Sequence, residues 1–406
     1  MSQSIVQSLT VRIVCLCPLL LPFIVQSQES GHLQQLIDLA LANNKQLKVQ
    51  QLIVDQSESS EDASADIDKT TFYFNKDQNN LPPLGGPLSV WGVQQKIQFP
   101  TVYAQQKKAR TGESQMHVQE NELEKMLIAR EVCRQYYALL YYQQLDSVFQ
   151  SLDSLYRTLE TRTRKQLPAG KTSSLEQLTA AAKWQEIVQQ RRETERAVAS
   201  TYASLQLVVQ AEIPFSLEHL PADLVTEKPL DLESHPGILY FREATKNSNV
   251  QTKLEQNKLF PDIQLEYFVG RNGMPSAPVY SGLQVGLAVP LFYGAQKANI
   301  ESAQIQEELV REQAANYVFS LYTRRDKLRI ESRYYLDALT YYTQSGRQIA
   351  AETRILAWES YLQNKIDFFQ YVQTLENTKA TDLNYLHNLC AYNETQIELN
   401  YLQWEK

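Results

Sequence analysis

Trp91-Gly92-Val93-Gln94-Gln95-Lys96-Ile97-Gln98-Phe99-Pro100 is followed at once by Thr101-Val102-Tyr103-Ala104-Gln105-Gln106-Lys107. The chain repeats this pattern about 190 residues later, as Ser281-Gly282-Leu283-Gln284-Val285-Gly286-Leu287-Ala288-Val289-Pro290 and then Leu291-Phe292-Tyr293-Gly294-Ala295-Gln296-Lys297. Gly, Pro, Tyr, Gln and Lys fall in register without a gap. Each copy reads as a strand with period-two alternation that ends at a proline and passes into a long helix. A match on this scale is a structural duplication, and it organises the rest of the chain.

Outward from these two segments the helical pattern dominates. Leu33, Leu36, Ile37, Ala40 and Leu41 recur at helical spacing, and the pattern continues through Leu47, Val49 and Leu52. A second helix is expected from about Val102 to Arg164, on the order of 95 Å long at ~1.5 Å per residue. A third is expected from Ser174 to about Val209, and a fourth capped by Ser234, with Pro236 in its first turn, to Leu259. Helix then resumes near Ala295 and runs almost to the C-terminus, with one interruption near Asn364. Such lengths exceed what a globular core requires.

Four short segments alternate as strands do. Phe72 and Phe74 alternate with Thr71, Tyr73 and Asn75; Ile263, Leu265, Tyr267 and Val269 alternate with Gln264, Glu266 and Phe268; the duplicated segments supply the other two. Their length is close to the ~9–11 residues of a tilted membrane-crossing strand, with one apolar face and one polar or small. Trp91, Phe99, Tyr103, Tyr280, Phe292 and Tyr293 cluster toward the ends, as interfacial aromatics do. Turn-rich loops, Asn79 to Pro87 and Arg271 to Pro278, join the strands in pairs.

The 406 residues carry a net charge of -7. Arg12 followed by the apolar run Ile13 to Val25 and the exit Gln26-Ser27-Gln28 reads as a secretory signal peptide over 1–27. Cys15 and Cys17 leave with it, so Cys133 and Cys390 remain as isolated thiols. The expected layout is a first repeat over 28–210, with strands at about 67–75 and 89–99 and a helical tip near 168–174. A connector over 211–235 follows. The second repeat covers 236–406, with strands at about 261–270 and 279–289 and a tip near 364–368.

Catalysis finds no support. His32, His117, His219, His235 and His387 are scattered without metal-ligand spacing, and no phosphate loop or nucleophile elbow is present. No cofactor is expected. The acidic balance argues against a nucleic-acid partner.

Four strands cannot close a barrel, and open edges are not tolerated in lipid, so the chain is expected to oligomerise. Two copies would give about eight strands and a filled interior; three would give about twelve and an aqueous passage.

At the level of order and spacing the chain resembles the TolC-like outer-membrane efflux proteins, the exit ducts of the CusC and CzcC type, from Leu33 to its C-terminus. The resemblance rests on the opening helix with Asn43-Asn44, on Ser234-His235-Pro236-Gly237-Ile238, and on Leu259-Phe260-Pro261-Asp262-Ile263. The strand-to-helix prolines Pro100 and Pro290 complete it, as the passage from β-barrel to helical barrel. It implies a mainly α fold with transmembrane β: two repeats, each a β-hairpin plus long antiparallel helices, forming a trimeric twelve-stranded β-barrel continued by an α-helical barrel. It further implies a bacterial outer-membrane homotrimer that reaches into the periplasm. Partners would be membrane lipid, a periplasmic adaptor and an inner-membrane pump. The adaptor-docking tips would comprise Gly170, Lys171, Thr172, Ser173 and Glu176 in the first repeat and Asn364, Lys365, Asp367 and Gln370 in the second. Gly170 and Asn364 are types that accept a left-handed turn, and Ser173 and Asp367 are types that cap the returning helix. The sequence departs from the family where Lys45 replaces a proline after Asn44, and where Gln370 and Gln373 stand at often acidic places. The alternative is a soluble periplasmic adaptor with a coiled-coil hairpin, which the two hairpins and the duplication disfavour.

Overall fold

The computed structural model describes residues 23–63, 67–78, 86–214, 216–217, 223–228, 231–274 and 276–402. Most of the expected signal peptide, most of the first interstrand loop and part of the connector lie outside these residues. The elements follow in the order α1 (Phe23–Asn43), α2 (Lys45–Asp62), β1 (Thr71–Asp77), β2 (Leu88–Ile97), α3 (Pro100–Gln166), α4 (Ser174–Val209), α5 (Pro236–Asn257), β3 (Asp262–Asn272), β4 (Val279–Ala288), α6 (Gly294–Tyr341), α7 (Arg347–Leu362) and α8 (Phe368–Asn400). Helix α1 begins ahead of the expected processing point after residue 27.

All four strands form one antiparallel sheet in the order β1-β2-β3-β4. The central pair, β2 with β3, joins the two repeats, matching Trp91 with Val269 and Ile97 with Ile263. The first strand starts at Thr71, later than the expected 67. The second covers Leu88–Ile97 instead of 89–99, and beyond it Gln98 N–H is taken by the Tyr103 hydroxyl rather than by a neighbouring strand. The third and fourth run Asp262–Asn272 and Val279–Ala288 rather than 261–270 and 279–289.

The helices repeat the order of the strands. Next to the sheet, α2 packs on α3, α3 on α5 and α5 on α6. Farther away, α4 packs on α3, α3 on α8, and α8 on α6 and α7. The result is a curtain four helices wide hanging from a sheet four strands wide. Helix α3 runs through both levels; its 67 residues extend about 100 Å. Pro100 sits at its first position, where a missing N–H carries no penalty.

Apolar clusters hold this curtain at two heights. At the waist, Leu36 and Ala40 of α1, Val132, Tyr136, Leu139 and Leu140 of α3, and Leu205 and Val209 of α4 are buried together. Toward the far end, Phe149, Leu152, Tyr156 and Leu159 meet Ile187, Tyr371 and Leu375. Each Leu, Ile, Val or Phe among them contributes roughly 1.5–3 kcal/mol when taken fully out of water.

Three local features differ from the periodic reading. The opening helix is broken at Asn44, whose Oδ1 accepts from the N–H groups of Gln46 (2.8 Å) and Leu47 (3.4 Å) while Nδ2 donates to the Val208 carbonyl. Asn44 thus caps α2 and ties it to α4. The cap of α5 is His235 rather than Ser234: its Nδ1 accepts from Gly237 N–H at 3.0 Å. Burial pushes the His235 imidazole down to about 4, keeping it neutral and able to accept. The late helix is interrupted by a π-turn, Tyr342–Gly346, as well as near Asn364. There Arg347 lies over the Tyr385 ring at 4.2 Å.

Candidate functional site

The sheet has two chemically distinct faces. One gathers Phe72 and Phe74 of β1, Trp91 and Val93 of β2, Leu265 and Tyr267 of β3, and Leu283, Val285 and Leu287 of β4. Its side chains lie open: Leu283 is 73% and Val285 64% exposed. The rings of Phe74 and Trp91 contact at 4.6 Å. The opposite face carries Gln94, Lys96, Gln264, Glu266 and Gln284. The Tyr73 hydroxyl donates to the Glu266 carboxylate there, and Lys96 pairs with Asp262 at 3.1 Å.

On that polar face, aromatic rings lie over glycines of the neighbouring strand. Tyr73 stands opposite Gly92, Phe268 opposite Gly282 and Tyr280 opposite Gly270. A Cβ built at Gly92, Gly282 or Gly270 would sit 2.3, 2.4 or 2.3 Å from the ring. The absent side chain is therefore what lets each ring lie flat against the sheet.

Where strand meets helix, the two repeats diverge. Helix α3 starts at Pro100; the Phe99 ring stacks on Phe260 at 4.9 Å, and the Tyr103 hydroxyl accepts from Gln98 N–H at 3.0 Å. Pro290 does not start a helix. Helix α6 begins at Gly294, and Leu291, Phe292 and Tyr293 lie between, with Phe292 95% exposed. The sequence match is thus closer than the structural one at this point.

At the far end the two helix turns share one construction, offset by 194 residues. Gly170 has φ 65° and Asn364 has φ 54°, both left-handed. Lys171 N–H donates to the Gln166 carbonyl at 3.2 Å, and Lys365 N–H to the Ser360 carbonyl at 2.9 Å. Three residues after each left-handed position comes a capping residue, and three after that its reciprocal partner. Ser173 Oγ accepts from Glu176 N–H at 3.2 Å, and Glu176 accepts from Ser173 N–H at 2.7 Å and from the Thr172 hydroxyl at 2.6 Å. Asp367 accepts from Gln370 N–H at 2.7 Å, and Gln370 accepts from Asp367 N–H at 3.0 Å. Thr172 and the Ser173 backbone hold the Glu176 carboxyl below the usual carboxylate range. Glu176 and Gln370 are capping groups, which accounts locally for an acid at one and an amide at the other. The sequence reading named polar residues here and missed the exposed apolar ones beside them, Leu175, Leu178 and Phe369. Hydrophobicity at the start of a helix reads as core until the packing is known.

Behind the tips, polar and aromatic contacts lock the helices together. Arg162 of α3 lies over the rings of Trp358 and Tyr361, and Tyr361 stacks on Tyr371 at 5.0 Å. Glu376 of α8 accepts from the Tyr156 hydroxyl at 2.7 Å and pairs with Lys379 at 2.6 Å and Lys183 of α4 at 3.5 Å. Burial alone would raise the Glu376 carboxyl, but Lys379 and Tyr156 outweigh it and hold it low. Among the described residues, no helix is long and apolar enough to cross a membrane, and no group of acidic, His and Cys side chains could hold a metal ion.

No family model matches the chain, and no curated protein sequence does. Solved structures match over nearly its whole length. CusC, in a study of conformational changes accompanying folding and transmembrane channel formation, is 14% identical with a TM-score of 0.77, covering 92% of each chain. The open-state MtrE outer-membrane channel of Neisseria gonorrhoeae is 16% identical with a TM-score of 0.75, covering 91% of this chain and 88% of its own. The CmeC outer-membrane channel of Campylobacter jejuni is 14% identical with a TM-score of 0.72, covering 91% and 85%. With the sheet, the helical curtain and the paired tips in one chain, this protein has the fold of the TolC-like outer-membrane channels.

Proposed function

We propose that this chain is the outer-membrane exit duct of a tripartite efflux system, acting as a homotrimer whose sheets close into a β-barrel and whose helices continue it as a tube through the periplasm. The observation that carries the reading is the matched order of strands and helices, open at both lateral edges. On one edge β1 lacks an outer partner, and α2 and α4 beneath it expose Val49, Leu52 and Leu207. On the other, β4 has no partner on its outer side among the described residues, and α6 exposes Ile305, Phe319, Ile330, Tyr334 and Tyr341. These edges differ from one another, so copies would join head to tail, and such contacts close into a ring when the rotation between copies divides a full turn. Three four-stranded sheets give about twelve strands, enough for an aqueous bore, whereas two give about eight, whose interior side chains fill.

Membrane lipid would meet the face of Val285, and water the face of Glu266 and Lys96. The duct performs no bond chemistry: substrate arriving through an adaptor moves along a solvated wall. The tips, Gly170 to Glu176 and Asn364 to Gln370, are the proposed docking end for that adaptor, with the pump beyond it. An adaptor reading leaves the apolar sheet face unexplained. The test is reconstitution in a planar bilayer together with mass measurement in detergent. We expect three copies and a large, weakly selective conductance; a stable monomer, or a trimer that never conducts, overturns the proposal.

A further inference from the structure

The connector between the repeats is held to α8 by two asparagines that read its backbone. Asn393 Oδ1 accepts from Val225 N–H at 2.9 Å, and its Nδ2 donates to the Asp223 carbonyl at 2.9 Å. Asn400 repeats the pattern: Oδ1 accepts from Lys228 N–H at 2.9 Å, and Nδ2 donates to the Thr226 carbonyl at 2.8 Å. The geometry explains the spacing. Seven helical residues rise ~10.5 Å, and three extended residues advance ~10 Å, so the two amides meet equivalent backbone groups of residues 223–228. Residues so held form a strap, fastened to α8 by these two amides and to α6 by the pairing of Glu227 with Arg329 at 3.6 Å.

Beneath the strap lies a cavity of about 360 Å³, walled by the strap itself, α1, α3 and the end of α8. Its size falls within the range of small-molecule sites, ~300–1,000 Å³. Tyr136, Tyr137 and Tyr401 supply rings, and Leu33, Ile37 and Leu140 supply aliphatic surface. The Cys133 thiol and the Tyr401 hydroxyl lie 3.1 Å apart in the same wall. Burial pushes the Cys133 thiol up to about 11, so it stays neutral at ordinary pH. The charged lining side chains, Asp223 and Lys228, both come from the strap.

We propose that this cavity is a binding site for a neutral aromatic molecule bearing a hydroxyl group, with the 223–228 strap as its lid. Rings stack on the tyrosines and a hydroxyl exchanges hydrogen bonds with the Tyr401 end; the helical walls offer a charged ligand no counter-charge, and the strap offers an anion Lys228 only together with Asp223. The site is set beside the four-helix curtain, where α1 packs on α3 and α4. It does not depend on the duct reading.

Cys133 is the reporter. The exported chain with C390S, and with C15S and C17S wherever residues 1–27 are retained, is purified in detergent, and modification of Cys133 by neutral methyl methanethiosulfonate is timed. Naphthol is expected to slow the reaction in a saturable way, and naphthalenesulfonate to leave it unchanged. Replacing Asn393 by Ala removes two backbone clamps and is expected to speed modification about thirtyfold by loosening the lid. Naphthol protection is measured with the strap intact, so it stands even if N393A proves poorly folded. Absence of protection by naphthol, or equal protection by the sulfonate, overturns the proposal.

Discussion

The two halves of this molecule share a sequence pattern and divide the mechanical work unequally. In the first, α3 is one unbroken helix with buried residues spread along it, from Val102 to Thr163. In the second, α6 starts late, buries only Leu321, Leu328, Ser332 and Leu339, and yields to a π-turn before α7. Other apolar residues of α6 and α7, among them Phe319, Ile330, Ile349 and Ile355, are turned outward. The first half therefore builds the inner seam of the protomer, and the second supplies an edge that a neighbouring copy is proposed to cover.

The largest expected effect follows from that contrast. Phe319 and Ile330 are 70% and 72% exposed in the single chain. An aspartate at either position would put an unpaired charge into the proposed contact, at a cost of about 3–5 kcal/mol per interface. Phe319→Asp combined with Ile330→Asp is expected to give monomers by mass measurement, while Lys327→Glu, on an exposed and charged part of the same helix, leaves assembly intact. Trimers formed by the double variant would mean that the outward stripe of α6 is not a seam.

Next in size is the apolar sheet face proposed to meet lipid. Val285 lies mid-strand among Leu265, Leu283 and Leu287. Val285→Arg is expected to destabilise the inserted sheet by roughly 2–4 kcal/mol, read as loss of assembled protein from the membrane fraction. Normal insertion of this variant, or a wild type that is soluble without detergent, removes the basis for membrane strands.

The sheet offers a finer comparison between two glycines on its polar face. A Cβ at Gly92 would lie 2.3 Å from the Tyr73 ring, whereas one at Gly286 would meet Gln264 at an ordinary 3.6 Å. Gly92→Ala is expected to destabilise by about 1–3 kcal/mol through overpacking, with Gly286→Ala near neutral. Thermal unfolding of the two variants side by side checks it, and equal effects would show that the ring moves aside freely.

What could be read without coordinates follows from the range of the interactions responsible. Helices, strands and their duplication rest on periodicity and on proline, which act within a few residues. The left-handed turns at Gly170 and Asn364 were legible for the same reason, as were the caps Ser173 and Asp367. The docking role of those tips is not a local property and stays a proposal. Where local signals competed, burial decided: Ser234 and His235 are both polar, but only the imidazole is turned onto Gly237 N–H. Asn44 sits inside an apolar helical period, and its cap on α2 is stabilised by a bond to α4, far away in sequence. The strap clamps at Asn393 and Asn400 depend on contacts between distant segments.

A smaller effect concerns pH and the lock behind the tips. The Glu376 carboxyl is held below its ordinary value of 4.5 by Lys379 and Tyr156. A carboxylate depressed in the folded state stabilises fully above its unfolded pKa and loses that contribution as pH falls through its folded pKa. Wild type is therefore expected to lose melting temperature more steeply below about pH 4.5 than Glu376→Gln, whose amide does not titrate. Parallel acid profiles would place the acid sensitivity elsewhere.

The smallest effect separates the two tips themselves. Their turns differ at the left-handed residue, Gly170 at φ 65° and Asn364 at φ 54°. Asparagine tolerates this region better than other residues with a side chain, yet less well than glycine. Gly170→Val, with a branched side chain, is expected to strain the first tip by about 1–2 kcal/mol, although no atom lies within 4 Å of the added Cβ. Asn364→Gly is expected to relax the second tip by a few tenths of a kcal/mol. Lys171→Glu and Lys365→Glu, at exposed positions, are expected to leave melting unchanged, because isolated surface charges contribute little. If the tips are the docking end, the charge variants lose cross-linking to the adaptor and lose export while trimer yield holds, and Asn364→Gly keeps both. Survival of cross-linking and export in both charge variants would move the docking site off the turns, onto Leu175, Leu178 and Phe369 or the grooves between helices.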